Sequence, residues 1–227
     1  MPRKGASVFT VLFGLVSGMA GTLAVLAWLP HVELPAIEPV FQESSEGGSV
    51  ESLFIDLPGQ RVAVTHCGTV PLALLPPEIP RLSEPGLSGS VATLASVRNG
   101  RGEVVGFAAE LEIRPKEDLL GGDPEWDTDW VVVLPGRGTL YLHQTERSRE
   151  LGREIMAPTL ASGLPWQGDR SVQMTSGPLA NGRGAILGGT GDFETATGSF
   201  VEIDRVTGFL PQGVLVGTVE LRIQRES

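Results

Sequence analysis

Through most of the chain, apolar and polar residues alternate in short runs, and each run is closed by glycine or proline. Val105, Phe107, Ala109, Leu111 and Ile113 fall on one face of such a run, and Gly106, Ala108, Glu110 and Glu112 on the other. A period of two belongs to a strand and not to a helix. Similar runs cover residues 52–57 and 61–65, separated by the turn pair Pro58-Gly59. The runs at 88–97 and 103–114 flank Asn99-Gly100-Arg-Gly102, a hairpin signal. Residues 130–134 and 138–145 turn at Pro135-Gly136, and further runs lie at 171–176, 184–188, 198–205 and 214–225. In the last, Leu215, Val219, Leu221 and Ile223 oppose Val216, Thr218, Glu220 and Arg222. Roughly eight to ten strands are predicted, hence an all-β fold. Only residues 146–162 carry a helical pattern after the N-terminus, with Leu151, Ile155 and Leu160 as its apolar side. The proline-rich stretch 71–85 is expected to wrap a surface or plug an end. The acidic stretch 116–129 reads as a loop. Its alternating Asp123, Glu125, Asp127 and Asp129 resemble a calcium loop, but Thr128 and Leu134 stand where glycine and glutamate are needed.

A different pattern opens the chain. Arg3 and Lys4 precede an uncharged segment from Ala6 to Leu29, long enough to cross a hydrocarbon core of about 30 Å as a helix. The basic residues on its short side predict that everything after Pro30 lies outside the cytoplasm. A single-pass anchor in the inner (cytoplasmic) membrane is expected. Val25-Leu-Ala27 leaves secretion after signal cleavage as the alternative. Gly14-x-x-x-Gly18 matches a helix-pairing motif, although glycines are common in such helices. Three regions follow: a membrane (or signal) helix at 1–30, a Pro/Glu/Ser-rich linker at 31–50 and a β domain at 51–227.

Charge and composition narrow the function. Seventeen basic against 27 acidic residues give a net charge of −10, which argues against nucleic acid as a partner. Cys67 is the only cysteine, so neither an intrachain disulfide nor a thiolate zinc cluster can form. The three histidines, His31, His66 and His143, have no zinc-ligand spacing. No Gly-x-Ser-x-Gly elbow suggests a hydrolase.

The glycine cluster Gly188-Gly-Thr-Gly191 invites a phosphate-binding reading, which its context opposes. A dinucleotide loop needs a third glycine where Glu194 stands, followed by a βαβ unit, and a P-loop needs a lysine that is missing. A strand, a tight glycine bend and a returning strand fit better, so no cofactor is expected. The stretch Gly188-Gly-Thr-Gly-Asp-Phe-Glu-Thr-Ala-Thr-Gly198 resembles the Gly-Gly-Thr-Gly-x-Phe-x-x-Ala-x-Gly segment of the allene oxide cyclase and dirigent proteins. The matching positions are Gly188, Gly189, Thr190, Gly191, Phe193, Ala196 and Gly198, and the match covers only about residues 180–227. The resemblance implies an eight-stranded antiparallel barrel around an apolar cavity, often in trimers. It also implies chemistry, where there is any, without metal or nucleotide.

A cavity of that kind needs a few polar groups to orient its ligand. Tyr141, the sole tyrosine, shares a strand face with His143, and Glu110 shares one with Glu112. Each pair is a candidate acid/base set if it faces inward, and a solvated outer face if the neighbouring Leu140 and Leu142, or Leu111 and Ile113, pack inside. The expected function is a membrane-anchored extracytoplasmic barrel that binds a small apolar ligand or an envelope partner without chemistry. The alternatives are an isomerase or cyclase using those four residues, and a structural barrel filled by its own side chains.

Overall fold

A computed structural model describes residues 19, 39–43, 48–57, 61–66, 90–113 and 125–226. The chain divides into two units, Met1–Pro35 and Ala36–Ser227. The apolar segment expected to span a membrane lies, apart from Met19, outside the described residues, as do residues 71–85, His31 and Cys67. Among the described residues, no helix is long and apolar enough to cross a membrane.

The second unit is a β-barrel. Its strands are β1 (Phe41–Glu43), β2 (Ser49–Leu57), β3 (Arg61–His66), β4 (Ser90–Arg98), β5 (Val104–Ile113), β6 (Glu125–Leu134) and β7 (Gly138–Arg147). After a helical segment come β8 (Trp166–Gln173), β9 (Thr175–Gly177), β10 (Gly184–Gly189), β11 (Gly198–Phe209) and β12 (Leu215–Arg225). Eight of them form a ring in the order β2-β12-β11-β10-β7-β6-β5-β4, and Phe54 pairing with Arg98 closes β4 back onto β2. Every pairing is antiparallel. Arg98 Nε donates to Asp56 Oδ2 at 2.9 Å beside that closing pair. Closure removes the free strand edges that an open sheet would present.

Hairpin chemistry follows the turn residues. Asn99 Oδ1 accepts from the backbone N–H groups of Arg101 and Glu103, holding the β4–β5 turn. The glycine cluster is a strand, a bend and a strand. β10 ends at Gly189, a 3-10 turn occupies Gly191–Phe193, and β11 starts at Gly198. Only this three-residue 3-10 turn, and no α-helix, follows the glycines before β11, so the bend lacks the strand-to-helix geometry of a nucleotide loop.

Among the described residues, the barrel is packed at one end and open at the other. Leu53, Val132, Leu134, Leu140, Phe200, Leu221 and Ile223 fill the first end, and Phe193 from the 3-10 turn plugs it. Beside the plug, Arg137 donates through Nη1 and Nη2 to the two Glu51 oxygens at 2.6 and 2.9 Å, with both residues buried. The guanidiniums of Arg137 and Arg225 lie 5.0 and 5.5 Å from the Phe193 ring centre. At the other end β11 runs past β10 and pairs with β8, while β9 pairs with β7. Met174 joins the two sides: its N–H donates to the Glu202 carbonyl, and its own carbonyl accepts from Arg147 N–H. The helical segment packs Leu151 and Ile155 against Val172, Met174, Val206 and Phe209.

Several elements differ from the sequence reading. Residues 125–129, read as loop, belong to β6. Their acids alternate with Trp126, Thr128 and Trp130, and this two-residue period was hidden by the density of charge. Leu160 is exposed and Thr159 is buried instead. Residues Gly152–Met156 form a π-helical turn, which holds more residues per turn than an α-helix and brings every fourth residue, 151, 155 and 159, to the same side. Phe41–Glu43, within the stretch read as linker, pairs with the start of β2.

Candidate functional site

The open end of the barrel holds a cavity of about 190 Å³. Its apolar wall comes from Ile55 and Leu57 of β2, Ala95 of β4, Ala108 of β5, Val219 of β12 and, from the helical segment, Leu151 and Met156. Five carboxyl groups line the rest: Glu110 and Glu112 of β5, Glu146 of β7, and Glu202 and Asp204 of β11. Strand alternation explains the gathering. Residues two apart on a strand share a face, so Glu110–Glu112 and Glu202–Asp204 each present two acids to one interior.

Of the four residues singled out from sequence, the structure brings Glu110 and Glu112 into the cavity. It puts Tyr141 and His143 on the outer face of β7. There Tyr141 is 40% exposed, and His143 Nδ1 lies 2.9 Å from Asp129 Oδ1. Leu140 and Leu142 point inward, whereas on β5 the apolar Leu111 and Ile113 point outward. Glu146, Glu202 and Asp204 were not recognised as site residues. Glu202 and Asp204 sit in the alternating run 198–205, where the only signal was a pair of acids on the same face as buried Phe200. Glu146 opens the helical pattern at 146–162 in the sequence but lies in β7.

An ordered network holds part of the cluster. The Gln144 amide nitrogen donates to Glu146 Oε1 at 2.6 Å and also to Glu202 Oε2, which accepts from Trp130 Nε1 at 3.0 Å. Thr175 Oγ1 donates to Gln144 Oε1 and accepts from Glu202 N–H, each at 2.6 Å. The amide orientation of Gln144 is thereby fixed, with its donors toward the acids.

Burial dominates the electrostatics. Loss of water pushes the Glu110 carboxyl well above its ordinary range, and the negative charges of Glu112, Glu202, Glu146 and Asp204 add to the rise. Glu202 is likewise pushed well up, first by burial and then by Glu146 and Asp204, against the hydrogen bonds from Gln144 and Trp130. Glu146 rises more modestly, because Thr128 and Gln144 partly offset its burial. Each of these shifts favours the neutral carboxyl, and because the groups raise one another their protons titrate as a set. Carboxylate oxygens of Glu110, Glu112 and Glu146 lie within 4.8 Å of one another. Oxygen ligands at such spacing suit a hard divalent cation better than a thiolate-seeking one.

An acid whose pKa is raised in the folded state stabilises the fold fully below its unfolded value, and that contribution is lost as pH rises through the folded value. For Glu110, Glu146 and Glu202 the window opens near 4.5 and extends upward. Stability measured by urea unfolding is expected to fall between pH 5 and pH 8, and Glu110→Gln is expected to flatten that slope. A stability that holds level or climbs over this range would contradict the buried cluster. The exposed Glu103 and Asp169, whose pKa values are lowered by Asn99 and by Arg205 respectively, act only below about pH 4.5 and leave the window clear.

Comparison with known protein families and with curated proteins gives no match for this chain.

Proposed function

We propose that the chain is a small-ligand-binding barrel of the allene oxide cyclase and dirigent type, held outside the cytoplasm by its N-terminal apolar segment. The observation that carries the ligand reading is the cavity at the open end, apolar on one wall and lined with carboxyls on the other. Such a site suits a small, largely apolar molecule with a hydrogen-bond-donating or cationic end. The apolar body would rest against Ile55, Leu57 and Met156, and its polar end would meet the carboxyl cluster. The fold type rests on the eight-stranded ring and the Gly188–Gly198 bend between two late strands. The membrane placement rests on the length of the Ala6–Leu29 segment and on Arg3 and Lys4 before it.

The test is retention. Purified full-length protein is incubated with lipid and small-molecule extracts, washed, and its bound compounds are identified by mass spectrometry. A compound retained by the natural protein and lost on Ala108→Trp, which would fill the cavity, is the expected result. Equal retention by both proteins would refute the cavity as the site. A second reading, an isomerase or cyclase, is favoured by one observation: five carboxyls line one cavity, Glu110 and Glu202 among them with raised pKa, so that acid and base roles could be divided over one substrate. Under that reading the retained compound is a rearranged isomer of the one supplied, and Glu110→Gln keeps binding while abolishing the rearrangement.

A further inference from the structure

The five carboxyls of the cavity come from two parts of the ring. Glu110 and Glu112 stand on β5 and Glu146 on β7, with β6 alone between these strands, while Glu202 and Asp204 belong to β11. Carboxylate oxygens of the first three lie within 4.8 Å of one another. Oxygens sharing a calcium ion at about 2.3–2.6 Å stand at most about 4.6–5.2 Å apart, and magnesium, at about 2.0–2.1 Å, allows only about 4.2 Å. A second feature points to the same place. Thr128 of β6 is the direct cross-strand partner of Glu112 on one side and of Gln144 on the other. Its side chain is wholly buried, and its hydroxyl oxygen completes no hydrogen bond. The hydroxyl nonetheless faces Glu146, near enough to hold that carboxyl's pKa down. A sealed hydroxyl normally finds a partner, and an unbonded one is accounted for by a water or an ion at its side.

We propose that Glu110, Glu112 and Glu146, with the Thr128 hydroxyl beside them, bind a hard divalent cation of calcium's size. The charges that act on Glu110, those of Glu112, Glu202, Glu146 and Asp204, are all negative, and a divalent ion offsets them better than the single charge of an organic ammonium. Glu110 and Glu112 are half-buried and line the cavity, which gives the ion a route to the buried Glu146. Three carboxylates leave part of calcium's shell of about six to eight oxygens to water or to an oxygen of a bound molecule. Glu202 and Asp204 stay on the side of the small ligand proposed above, and the ion site rests on the cavity and not on that ligand. Asp127 and Asp129, in the acidic run that resembles a calcium loop, are exposed on the other face of β6 and take no part.

Calcium titration of the full chain in mild detergent, after stripping with a chelator, tests the proposal. Isothermal calorimetry with calcium chloride is expected to show uptake, and terbium bound in its place should be excited through Trp130, the cross-strand partner of Glu110. Glu112→Gln, Glu146→Gln and Thr128→Val should each weaken calcium at least about ten-fold. The paired surface variant Asp127→Asn/Asp129→Asn should bind like the natural protein. These changes conserve side-chain shape, and far-ultraviolet circular dichroism checks that the barrel is retained. The proposal is overturned by a natural protein that takes up no calcium at millimolar concentration, by an affinity that both glutamate variants or Thr128→Val leave unchanged, or by loss of binding in Asp127→Asn/Asp129→Asn. Terbium displaced by ethylammonium but not by calcium would assign the site to an organic cation and overturn it equally. Calcium uptake with no compound retained from the extracts would support the ion site while the ligand reading fails. A retained compound without calcium uptake would do the reverse.

Discussion

Glu51→Ala is expected to cost the barrel about 3–5 kcal/mol, the range for removing one partner of a buried ion pair. Glu51 accepts two hydrogen bonds from the Arg137 guanidinium, and both side chains are sealed beneath the packed end of the barrel. Without the carboxylate the cation stays buried. Asp192, 3.9 Å from Arg137 Nε and largely in water, is poorly placed to take over two donors. Arg137 also covers one face of Phe193, so displacing the guanidinium toward solvent would unseat the plug as well. Chemical unfolding should show the loss, and a thermal midpoint lower by about 10 °C or more would accompany it. Replacing both partners, as in Glu51→Leu with Arg137→Met, should recover most of the stability, because no unpaired charge then remains inside. A single variant within 1 kcal/mol of the natural protein, on the order of an exposed pair, would mean that water reaches Arg137.

Glu51 also marks the boundary of what the sequence discloses. Most strand runs, the β4–β5 and β6–β7 hairpins and the glycine bend could be read because they depend on local chemistry: period-two alternation, Asn-Gly and Pro-Gly turns, and a glycine cluster followed by a returning strand. The partnership of Glu51 with Arg137 could not, since the two are 86 residues apart and meet only through ring closure. The face of β5 illustrates the same point. Alternation separated Glu110 and Glu112 from Leu111 and Ile113, but hydrophobicity alone would have turned the leucine inward. The structure does the opposite, drawing the acids into the cavity and leaving Leu111 and Ile113 45% and 59% exposed. Two conditions make this inversion physically consistent. Buried polar groups behind the cavity wall, notably Gln144 and Thr175, hold part of the acid cluster by hydrogen bonds, and the raised pKa values of Glu110 and Glu202 favour the neutral form that burial penalises least. Period gives the faces of a strand, while which face is inside depends on the neighbours that closure supplies. Tyr141 and His143 lie outward for the opposite reason, since Leu140, Leu142 and Gln144 take the inner positions of β7.

Gly191→Val is expected to destabilise the barrel by more than about 3 kcal/mol, through two separable terms. Gly191 has φ +59, a conformation that a β-branched residue enters only with strain of about 1–3 kcal/mol. A Cβ there would also run into the Arg137 carbonyl oxygen, a backbone atom that cannot rotate away. Relief requires the turn Gly191–Phe193 to move, which lifts Phe193, 1% exposed, from between Arg137 and Arg225. Losing a buried phenylalanine from a core costs about 3–5 kcal/mol when complete, so even partial withdrawal outweighs the backbone strain. Gly213→Val isolates the first term. Gly213 also has positive φ, at +84, but a Cβ there meets nothing within 4 Å. Unfolding free energies of the two variants should therefore differ, with Gly191→Val the less stable by at least about 1 kcal/mol. Equal losses would leave backbone conformation as the whole effect and remove the plug from the account. A natural-like stability for Gly191→Val would remove the tight corner itself, and with it the reason for a glycine cluster between β10 and β11.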